Sequence, residues 1–383
     1  MKINILSFCI SFAVLLIYTQ SCKQAEVSAP APLSDTTQIA QLVFTADLHY
    51  GLKRAFRGNV VNSNGVNEAM VAQMNTLPKA VFPADGGVNA GRTINFIDYV
   101  AINGDITNRQ ESGIQSATAS WAQFSADYLN GGITLKNKRN QPAEFLLTCG
   151  NHDVANAIGY PKALSPATDN AAMVNIYNLM LKPATPKTAT TYNYSTDKPN
   201  FSKDMVGVHL MFITMWPDSA ARVWMERDLG KVGLTTPVLI FTHDPIGGEP
   251  THFTNPFGNH EMATDYENEI EEQFKGMLPL QRELAAFLKI HPNIKAYFHG
   301  HTNYNEYYTF VGPDGDLNLK VFRVDSPMKG EVSGSDDSQL SFQVLSIDGK
   351  SKTLTVRECL WNSAGAASSI KWGTSSTVSL TVL

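Results

Sequence analysis

The sequence contains few cysteines and little net charge, and each shortage excludes a class of protein. Only four of its 383 residues are cysteines, and two of these, Cys9 and Cys22, lie near the start. The remaining pair, Cys149 and Cys359, is too small for a disulfide framework. We expect two buried thiols, with one disulfide between them as the alternative. The formal charge of −5 provides no broad basic surface, so we expect no nucleic-acid-binding surface.

Long apolar runs are also lacking, and the most apolar stretch opens the chain. MKINILSFCISFAVLLIYTQSC has one lysine and about sixteen apolar residues, short of the roughly twenty that span a bilayer. This pattern is typical of an export signal, here residues 1–21, although an uncleaved membrane anchor is the alternative.

The residues around Cys22 resemble the processing site of bacterial lipoproteins, except that Thr19 stands where those usually have leucine. We therefore expect lipid attachment at Cys22, a flexible linker over 22–39 and a place in the bacterial cell envelope, periplasmic or at the outer surface. Contact with a membrane would be through this anchor only. Cleavage and release without a lipid is the alternative.

The rest of the chain has the composition of a large globular domain. Apolar residues make up 43% of the sequence and charged residues 17%, enough to bury a substantial core. We expect a single domain over 40–383, in which 304–383 completes the fold. The oligomeric state cannot be read from these features.

Short apolar runs alternate with helix-length segments as far as about residue 300. Runs rich in Val, Ile, Leu and Phe are typical of strands buried on both faces, and this alternation predicts a parallel α/β fold. After Tyr304, alternating polar and apolar stretches and a hairpin turn at Asp348-Gly349 predict mainly antiparallel sheet. The predicted strands are 41–46, 98–103, 144–149, 208–214, 237–242 and 294–298; the predicted helices are 67–74, 116–129, 220–229 and 266–288; the predicted antiparallel segments include 319–325, 340–347, 352–359 and 376–383.

Five of the six apolar strands end in residue types that bind metals. A single Asp or His at a strand end usually forms a turn or a satisfied polar contact. Five such ends are different, because the carboxyl ends of parallel strands meet at one edge of a sheet, where ligands bind. The strand ends are Asp47-Leu48-His49, Gly104-Asp105, Gly150-Asn151-His152-Asp153, His243-Asp244 and His299-Gly300-His301.

A second Gly-Asn-His-carboxylate sequence occurs at 258–261, but it follows a polar loop with Pro256. No strand places it at the predicted site. We interpret it as a chance match, with the alternative that His260 or His252 lines a substrate entrance.

The ordered series of motifs resembles the calcineurin-like metallophosphoesterases, whose pattern is DxH, GD, GNH[DE], an isolated His and GHxH. The resemblance covers 43–303 and implies two packed mixed β-sheets flanked by helices, a four-layer α/β/β/α sandwich. The last motif departs from the pattern because Phe298 stands where glycine is expected, which makes His299 and His301 the two imidazoles. Two residues apart in extended chain, they would point to the same side. The alternative frame, Gly300-His301-Thr302-Asn303, restores the glycine and ends in Asn303.

The resemblance implies two divalent metal ions, Mn, Fe or Zn, that activate a bridging water. His152 would stabilise the transition state and protonate the leaving group, and Asp153 would orient His152. A helix or loop cap is the alternative for Asp153. One ion would take Asp47, His49, Asp105 and His301, and the other would take Asp105, Asn151, His243 and His299.

The implied activity is hydrolysis of a small-molecule phosphate ester. No Arg or Lys lies in a motif to bind a doubly charged phosphate, which favours a diester, unless Arg54, Arg57 or Lys162 folds inward. A phosphomonoesterase of nucleotide or phosphoprotein type is one alternative. A non-catalytic metal-binding surface lipoprotein on the same scaffold is the other.

Overall fold

Two mixed β-sheets organise the chain in a computed structural model that describes residues 38–108, 115–155, 169–248, 278–363 and 370–382. The described residues belong to one compact unit. Within the described ranges, the strands are β1 (Ile39–Thr45), β2 (Lys53–Phe56), β3 (Asn59–Asn62), β4 (Tyr99–Asn103), β5 (Glu144–Thr148), β6 (Phe201–Met205), β7 (Val208–Phe212), β8 (Val238–Phe241), β9 (Ile294–His299), β10 (Glu306–Phe310), β11 (Leu319–Arg323), β12 (Ser341–Asp348), β13 (Thr353–Leu360) and β14 (Lys371–Ser379). The α-helices are α1 (Ser63–Met74), α2 (Ala117–Phe124), α3 (Asn151–Val154), α4 (Ala171–Leu181), α5 (Ser219–Leu229) and α6 (Leu278–Ile290).

The first sheet has the order β14-β13-β12-β1-β4-β5, and the second has the order β10-β11-β9-β8-β7-β6. In the first sheet β1, β4 and β5 are parallel, while β12 to β14 add an antiparallel half. In the second, β7, β8, β9 and β11 are parallel, with β6 and β10 as antiparallel edges. The α/β class and the mainly antiparallel C-terminal part are therefore confirmed.

Phenylalanines fill the space between the two sheets. Phe212, Phe241, Phe298 and Phe322 come from neighbouring strands, and successive rings stack with centroids 4.9, 4.5 and 5.0 Å apart. Phe44 of β1 meets this row edge-on, 5.8 Å from Phe241 and 5.5 Å from Phe298. Such offset and edge contacts add to the burial of large apolar area, so the rings join the sheets firmly.

Helices cover the outer face of each sheet. Met70 of α1, Phe124 of α2 and Met173 of α4 share an apolar core with the first sheet. Met225 of α5 and Leu284 of α6 pack on the second. The layers thus run helix, sheet, sheet, helix, the predicted four-layer sandwich.

The six predicted strands before residue 300 lie where expected, whereas the predicted segment 376–383 overlaps only the end of β14, and the direction of one strand differs. Segment 319–325 was expected in antiparallel sheet, whereas β11 pairs in parallel with β9 and in antiparallel fashion only with β10. The predicted helix 266–288 is described from Leu278 onward. Cys149 and Cys359 are buried free thiols. No helix within the described ranges is both long and apolar enough to cross a membrane.

Candidate metal centre

Candidate ligands from both sheets follow the carboxyl ends of parallel strands. Asp47 follows β1, Asp105 follows β4 and Asn151 follows β5, all in the first sheet. His243 follows β8 and His301 follows β9, both in the second. The predicted convergence at this edge therefore joins residues far apart in sequence.

Several residues of these loops have a backbone conformation that non-glycine residues rarely adopt. The φ angles are 58° at Asp47, 44° at His49, 51° at Asp105, 68° at His301 and 58° at Asn303. A non-glycine residue in this left-handed region costs about 1–3 kcal/mol, and such residues cluster at functional sites. Packing must therefore hold these loops in place against local strain.

The carboxylate of Asp105 lies at the centre of the cluster. Its Oδ2 is 3.8 Å from His49 Nε2, 3.8 Å from His152 Nε2 and 3.4 Å from His243 Nε2. Its Oδ1 accepts a hydrogen bond of 2.8 Å from the main-chain N–H of His152. One buried carboxylate thus faces imidazoles on two sides, as a group that contacts two cations must.

Hydrogen bonds orient the ring of His243. Its Nδ1 is 2.7 Å from the carbonyl oxygen of Asn103, so Nδ1 carries the proton in the neutral ring. Its Nε2 then faces Asp105 and lies 3.0 Å from Oδ1 of Asn151. Fixing the second nitrogen against a carbonyl is how proteins orient metal-binding histidines.

Two groups have the side-chain composition and spacing to hold an ion. His49, Asp105 and His152 form one group, and Asp105, His243 and His301 form the other, with ligand atoms in each within 4.8 Å of one another. Asp47 adjoins both: its Oδ1 is 3.7 Å from His49 Nε2, and its Oδ2 accepts the N–H of His301 at 2.9 Å. The groups share Asp105, which is the residue expected to bridge.

Glycines in the motifs let the loops approach the carboxylates. A Cβ atom on Gly150 would lie 2.2 Å from Oδ1 of Asp105, and one on Gly300 would lie 2.4 Å from Oδ2 of Asp47. Both distances are impossible for real atoms. The glycines are therefore required by close backbone approach.

The carboxylate of Asp153 binds main-chain groups. It accepts hydrogen bonds from the N–H groups of Gly150 (2.9 Å), Thr107 (2.9 Å) and Ile106 (3.4 Å), and from the hydroxyl of Thr107 (3.1 Å). These contacts correspond to the cap that was the alternative for Asp153. They tie the Asn151 loop to the Asp105 loop, which corrects the expectation that Asp153 orients the ring of His152.

The structure does not bring His299 into the cluster. Its Nδ1 lies 2.9 Å from the carbonyl oxygen of Gly300, and its Nε2 lies 3.1 Å from the hydroxyl of Tyr308. The extended geometry assumed for 299–301 does not hold, because β9 ends at His299 and His301 is left-handed. The two rings therefore point to different places, and only His301 joins Asp105 and His243.

Asn303, the last residue of the alternative frame, has an unsatisfied buried oxygen. Its Nδ2 donates to the carbonyl oxygen of His301 at 2.7 Å, and Oδ1 takes no part in this hydrogen bond. Oδ1 of Asn303 and Oδ1 of Asp47 are buried without a hydrogen-bond partner in the described part of the chain. Buried oxygens of this kind require a partner. Together with carboxylates and imidazoles they fit a divalent cation.

The electrostatics of the cluster also suit a cation. Burial lowers the pKa of His49, and the neighbouring Lys329 lowers it further, which leaves a neutral imidazole. Burial would raise the pKa of Asp105, but His243 and His152 hold it well below its usual value. Burial raises the pKa of Asp47 to about 7. Burial would lower the pKa of His243, yet Asp105 raises it to about 10, so a cation would have to displace a proton there.

Lys329 is a site residue that the sequence analysis missed. Its Nζ lies 3.0 Å from Nε2 of His152. It follows β11, whose parallel direction brings the chain out at the same edge as β9. The sequence signal nearest to Lys329 is the alternating segment 319–325, which predicts a strand but, wrongly, an antiparallel one.

The other candidates lie elsewhere or outside the described residues. Arg54 donates to the carbonyl oxygen of Pro327 at 2.7 Å, and Arg57 donates to Oδ1 of Asn362 at 2.8 Å. Cys22, Lys162, His252 and His260 lie outside the described residues.

The chain resembles several solved structures in fold. No curated protein matches the sequence. Similar solved structures include a dimetal phosphatase from Danio rerio, with 10% identity, a TM-score of 0.43, and coverage of 83% of this chain and 95% of that chain. Phosphopantetheinyl hydrolase (PptH) from Mycobacterium tuberculosis has 13% identity, a TM-score of 0.34 and coverage of 76% and 91%. The calcineurin-like phosphoesterase YfkN from Bacillus subtilis has 12% identity, a TM-score of 0.33 and coverage of 89% and 91%.

The family model gives the clearest finding. The model described as calcineurin-like phosphoesterase matches residues 40–305, which is well over half of the chain and includes every motif of the cluster. The chain therefore belongs to the calcineurin-like phosphoesterase family and is a metal-dependent phosphoesterase.

Proposed function

We propose that this protein hydrolyses a phosphate ester with two divalent cations, and that Asp105 contacts both. The observation that carries the proposal is the position of Asp105 Oδ2, 3.8 Å from Nε2 of His49 and 3.4 Å from Nε2 of His243. The proposed ligands of one cation are Asp47, His49, Asp105 and Asn303, and those of the other are Asp105, Asn151, His243 and His301.

The bound cations would neutralise phosphoryl oxygens and lower the pKa of a water molecule. His152 would donate a proton to the leaving oxygen. The main-chain N–H of His152 donates to Oδ1 of Asp105 at 2.8 Å, and the ring of His152 meets that of His49 edge-on, with centroids 4.8 Å apart. These two contacts fix His152 beside the proposed ligands of the cations. Asp153 holds the segment that carries His152 against the loop that carries Asp105, which would keep the proton donor at a fixed distance from the shared carboxylate.

Metal removal and one substitution test this proposal. Protein stripped of metal should lose hydrolysis of 4-nitrophenyl esters of phosphate and regain it with Mn²⁺ or Zn²⁺. Asp105→Asn should lower both bound metal and turnover by at least about a hundredfold, since even partners of ligands contribute 10- to 100-fold. Asp98→Asn, at the opposite end of β4, should keep both. Near wild-type turnover in Asp105→Asn would exclude the two-cation centre. Bound metal without hydrolysis of any ester would favour the non-catalytic alternative.

The ester class proposed here includes monoesters and diesters. The diester expectation depended on the lack of a cation in the motifs. Lys329 beside His152 supplies one, so that reason no longer favours a diester. A panel of esters with the same leaving group separates the two.

We also propose that the protein is exported and carries a lipid at Cys22, on the basis of residues 1–39 of the sequence. Wild-type protein expressed in bacteria should incorporate labelled palmitate and fractionate with membranes. Cys22→Ala should do neither. Equal labelling of both would exclude this attachment site.

A further inference from the structure

The side chain of Lys329 belongs to a loop that is tied to the metal centre. The main-chain N–H of Lys329 donates to Oγ of Ser326 at 2.9 Å, and the same Oγ donates to the carbonyl oxygen of Asp47 at 2.8 Å. Ser326 is fully buried. One hydroxyl therefore connects the backbone of Lys329 to the backbone of a proposed ligand.

The same loop is held from two other sides. Nη1 of Arg54 donates to the carbonyl oxygen of Pro327 at 2.7 Å, and its Nη2 donates to that of Ser333. The N–H of Glu331 donates to the carbonyl oxygen of Asn303 at 2.8 Å. These hydrogen bonds are made by backbone atoms of the loop. They fix the position of the Lys329 backbone and do not involve its side-chain amine.

The ammonium group extends from this loop to the proposed proton donor. Nζ of Lys329 is 3.0 Å from Nε2 of His152, and Nε2 of His152 is 3.8 Å from Asp105 Oδ2. Lys329 is half-buried. An ammonium only donates, so Lys329 donates to Nε2 of His152 at 3.0 Å. A phosphoryl group placed to react beside His152 would accept this hydrogen bond instead and leave Nε2 able to carry the proton that passes to the leaving oxygen.

We propose that Lys329 is a specificity-determining residue that binds a non-bridging phosphoryl oxygen and selects phosphomonoesters over phosphodiesters. This inference rests on the proposed function and narrows its substrate class. A monoester presents three non-bridging oxygens and two negative charges, whereas a diester presents two oxygens and one charge. A preorganised ammonium in a partly buried site favours the more highly charged group, because charge-assisted hydrogen bonds are the stronger ones.

The test compares Lys329→Met and Lys329→Arg on two substrates with the same leaving group, 4-nitrophenyl phosphate and its methyl diester. In Lys329→Met we expect kcat/KM for the monoester to fall about 10- to 100-fold, and that for the diester to change less than about threefold. Lys329→Arg should recover most of the loss. Lys320→Met, which removes a lysine that binds Thr309 on β10, is the control and should change neither.

Binding of inorganic phosphate to the metal-loaded protein gives a readout that does not depend on turnover. Calorimetry should show at least tenfold weaker binding in Lys329→Met at equal metal content. Equal losses for both esters, no loss, unchanged phosphate affinity, or no phosphate binding by the wild type would each overturn the inference. If the wild type hydrolyses no ester but Lys329→Met binds phosphate more weakly, the proposed activity and ester selection fail, while the binding of a phosphoryl oxygen by Lys329 stands.

Discussion

At the scale of single residues, Asn103 connects the two sheets where the candidate ligands meet. Its side-chain amide donates to the carbonyl oxygens of Thr242 (2.8 Å) and Phe298 (3.1 Å), both in the opposite sheet. Its own carbonyl oxygen accepts from Nδ1 of His243 at 2.7 Å. A single buried residue therefore fixes the spacing of the sheets and the direction of a proposed ligand, which links packing directly to the site.

The neighbouring histidines of β9 and the loop that follows it give a sharp prediction at this scale. We expect His301→Asn to lower the bound metal by about one ion per chain, because its ring lies with Asp105 and His243. We expect His299→Asn to keep the metal, because the ring of His299 contacts Gly300 and Tyr308. Elemental analysis after dialysis measures both.

Folding stability separates a direct from an indirect effect of these variants. His299→Asn leaves the Tyr308 hydroxyl with a poorer partner and should cost about 1–3 kcal/mol in urea unfolding. Metal loss in both variants would support the pair of imidazole ligands predicted from the sequence, and metal loss in His299→Asn with retention in His301→Asn would exclude the ligand set proposed here.

At the scale of strands and helices, the local sequence pattern predicts the position of a strand better than its direction. The six predicted strands of the first 300 residues lie within two residues of those in the structure. Apolar runs of that length, alternating with helix-length segments, favour buried strands, and their ends place Asp47, Asp105 and His243 correctly at one edge. The alternation in 319–325 indicates a strand but not whether it runs parallel to β9, because direction is set by pairing far along the chain. For that reason Lys329 could not be placed from sequence.

The same limit explains the outcome at the last motif. His299 and His301 have the same imidazole side chain, so only the backbone conformation determines which of them can be a ligand. The left-handed residue His301 follows the close approach of Gly300 to Asp47, a contact between residues 253 positions apart in sequence. No local property of the FHGH segment reports that contact.

An ion pair between a buried arginine and a partly exposed aspartate fastens the loop before β4 to the antiparallel half of the first sheet. Arg357 of β13 is fully buried and binds Asp85 through two hydrogen bonds of 2.7 and 2.9 Å. It also donates to the carbonyl oxygen of Val88 at 2.9 Å and stacks on Phe82, 4.3 Å from the ring centre. Removing one partner of such a pair leaves an uncompensated buried charge.

We therefore expect Asp85→Asn to lower the free energy of unfolding by about 3 kcal/mol near neutral pH. Burial would raise the pKa of Asp85, but the bonds from Arg357 hold it below its usual value. A depressed carboxyl pKa stabilises the fold above the unfolded-state pKa of about 3.9, and this contribution is lost as the pH falls through the lowered folded-state value. The difference between wild type and variant in urea unfolding should be constant above about pH 5 and shrink below about pH 4.

An exposed ion pair provides the control. Asp316 binds Lys289 at 2.6 Å, with side chains half and about one third exposed. Asp316→Asn should cost less than about 1 kcal/mol, since surface pairs are screened by water. Similar losses of unfolding free energy in Asp85→Asn and Asp316→Asn would show that Asp85 is not needed to compensate the buried charge of Arg357.

At the scale of the whole molecule, the candidate metal centre spans the two halves of the sandwich. Asp47, Asp105 and Asn151 come from the first sheet, whereas His243 and His301 come from the second. The phenylalanine row joins the sheets through apolar contact, and Asn103 joins them through hydrogen bonds. Bound cations would add a third connection, which forms only when both sheets are folded and docked.

This arrangement predicts how unfolding depends on metal concentration. A cation that binds only the folded protein adds RT ln(1 + [M]/Kd) to its stability. Above saturation, each tenfold increase in free cation should therefore raise the free energy of unfolding by about 1.4 kcal/mol for one site and by about 2.7 kcal/mol for two. Urea unfolding in buffered Mn²⁺ or Zn²⁺ measures this slope without any substrate. We expect the two-site slope in the wild type and about half of it in His301→Asn, because that variant lacks one of the ligands from the second sheet. A slope of zero in the wild type would show that the ions do not depend on the docked sheets, and the centre would then have to lie elsewhere.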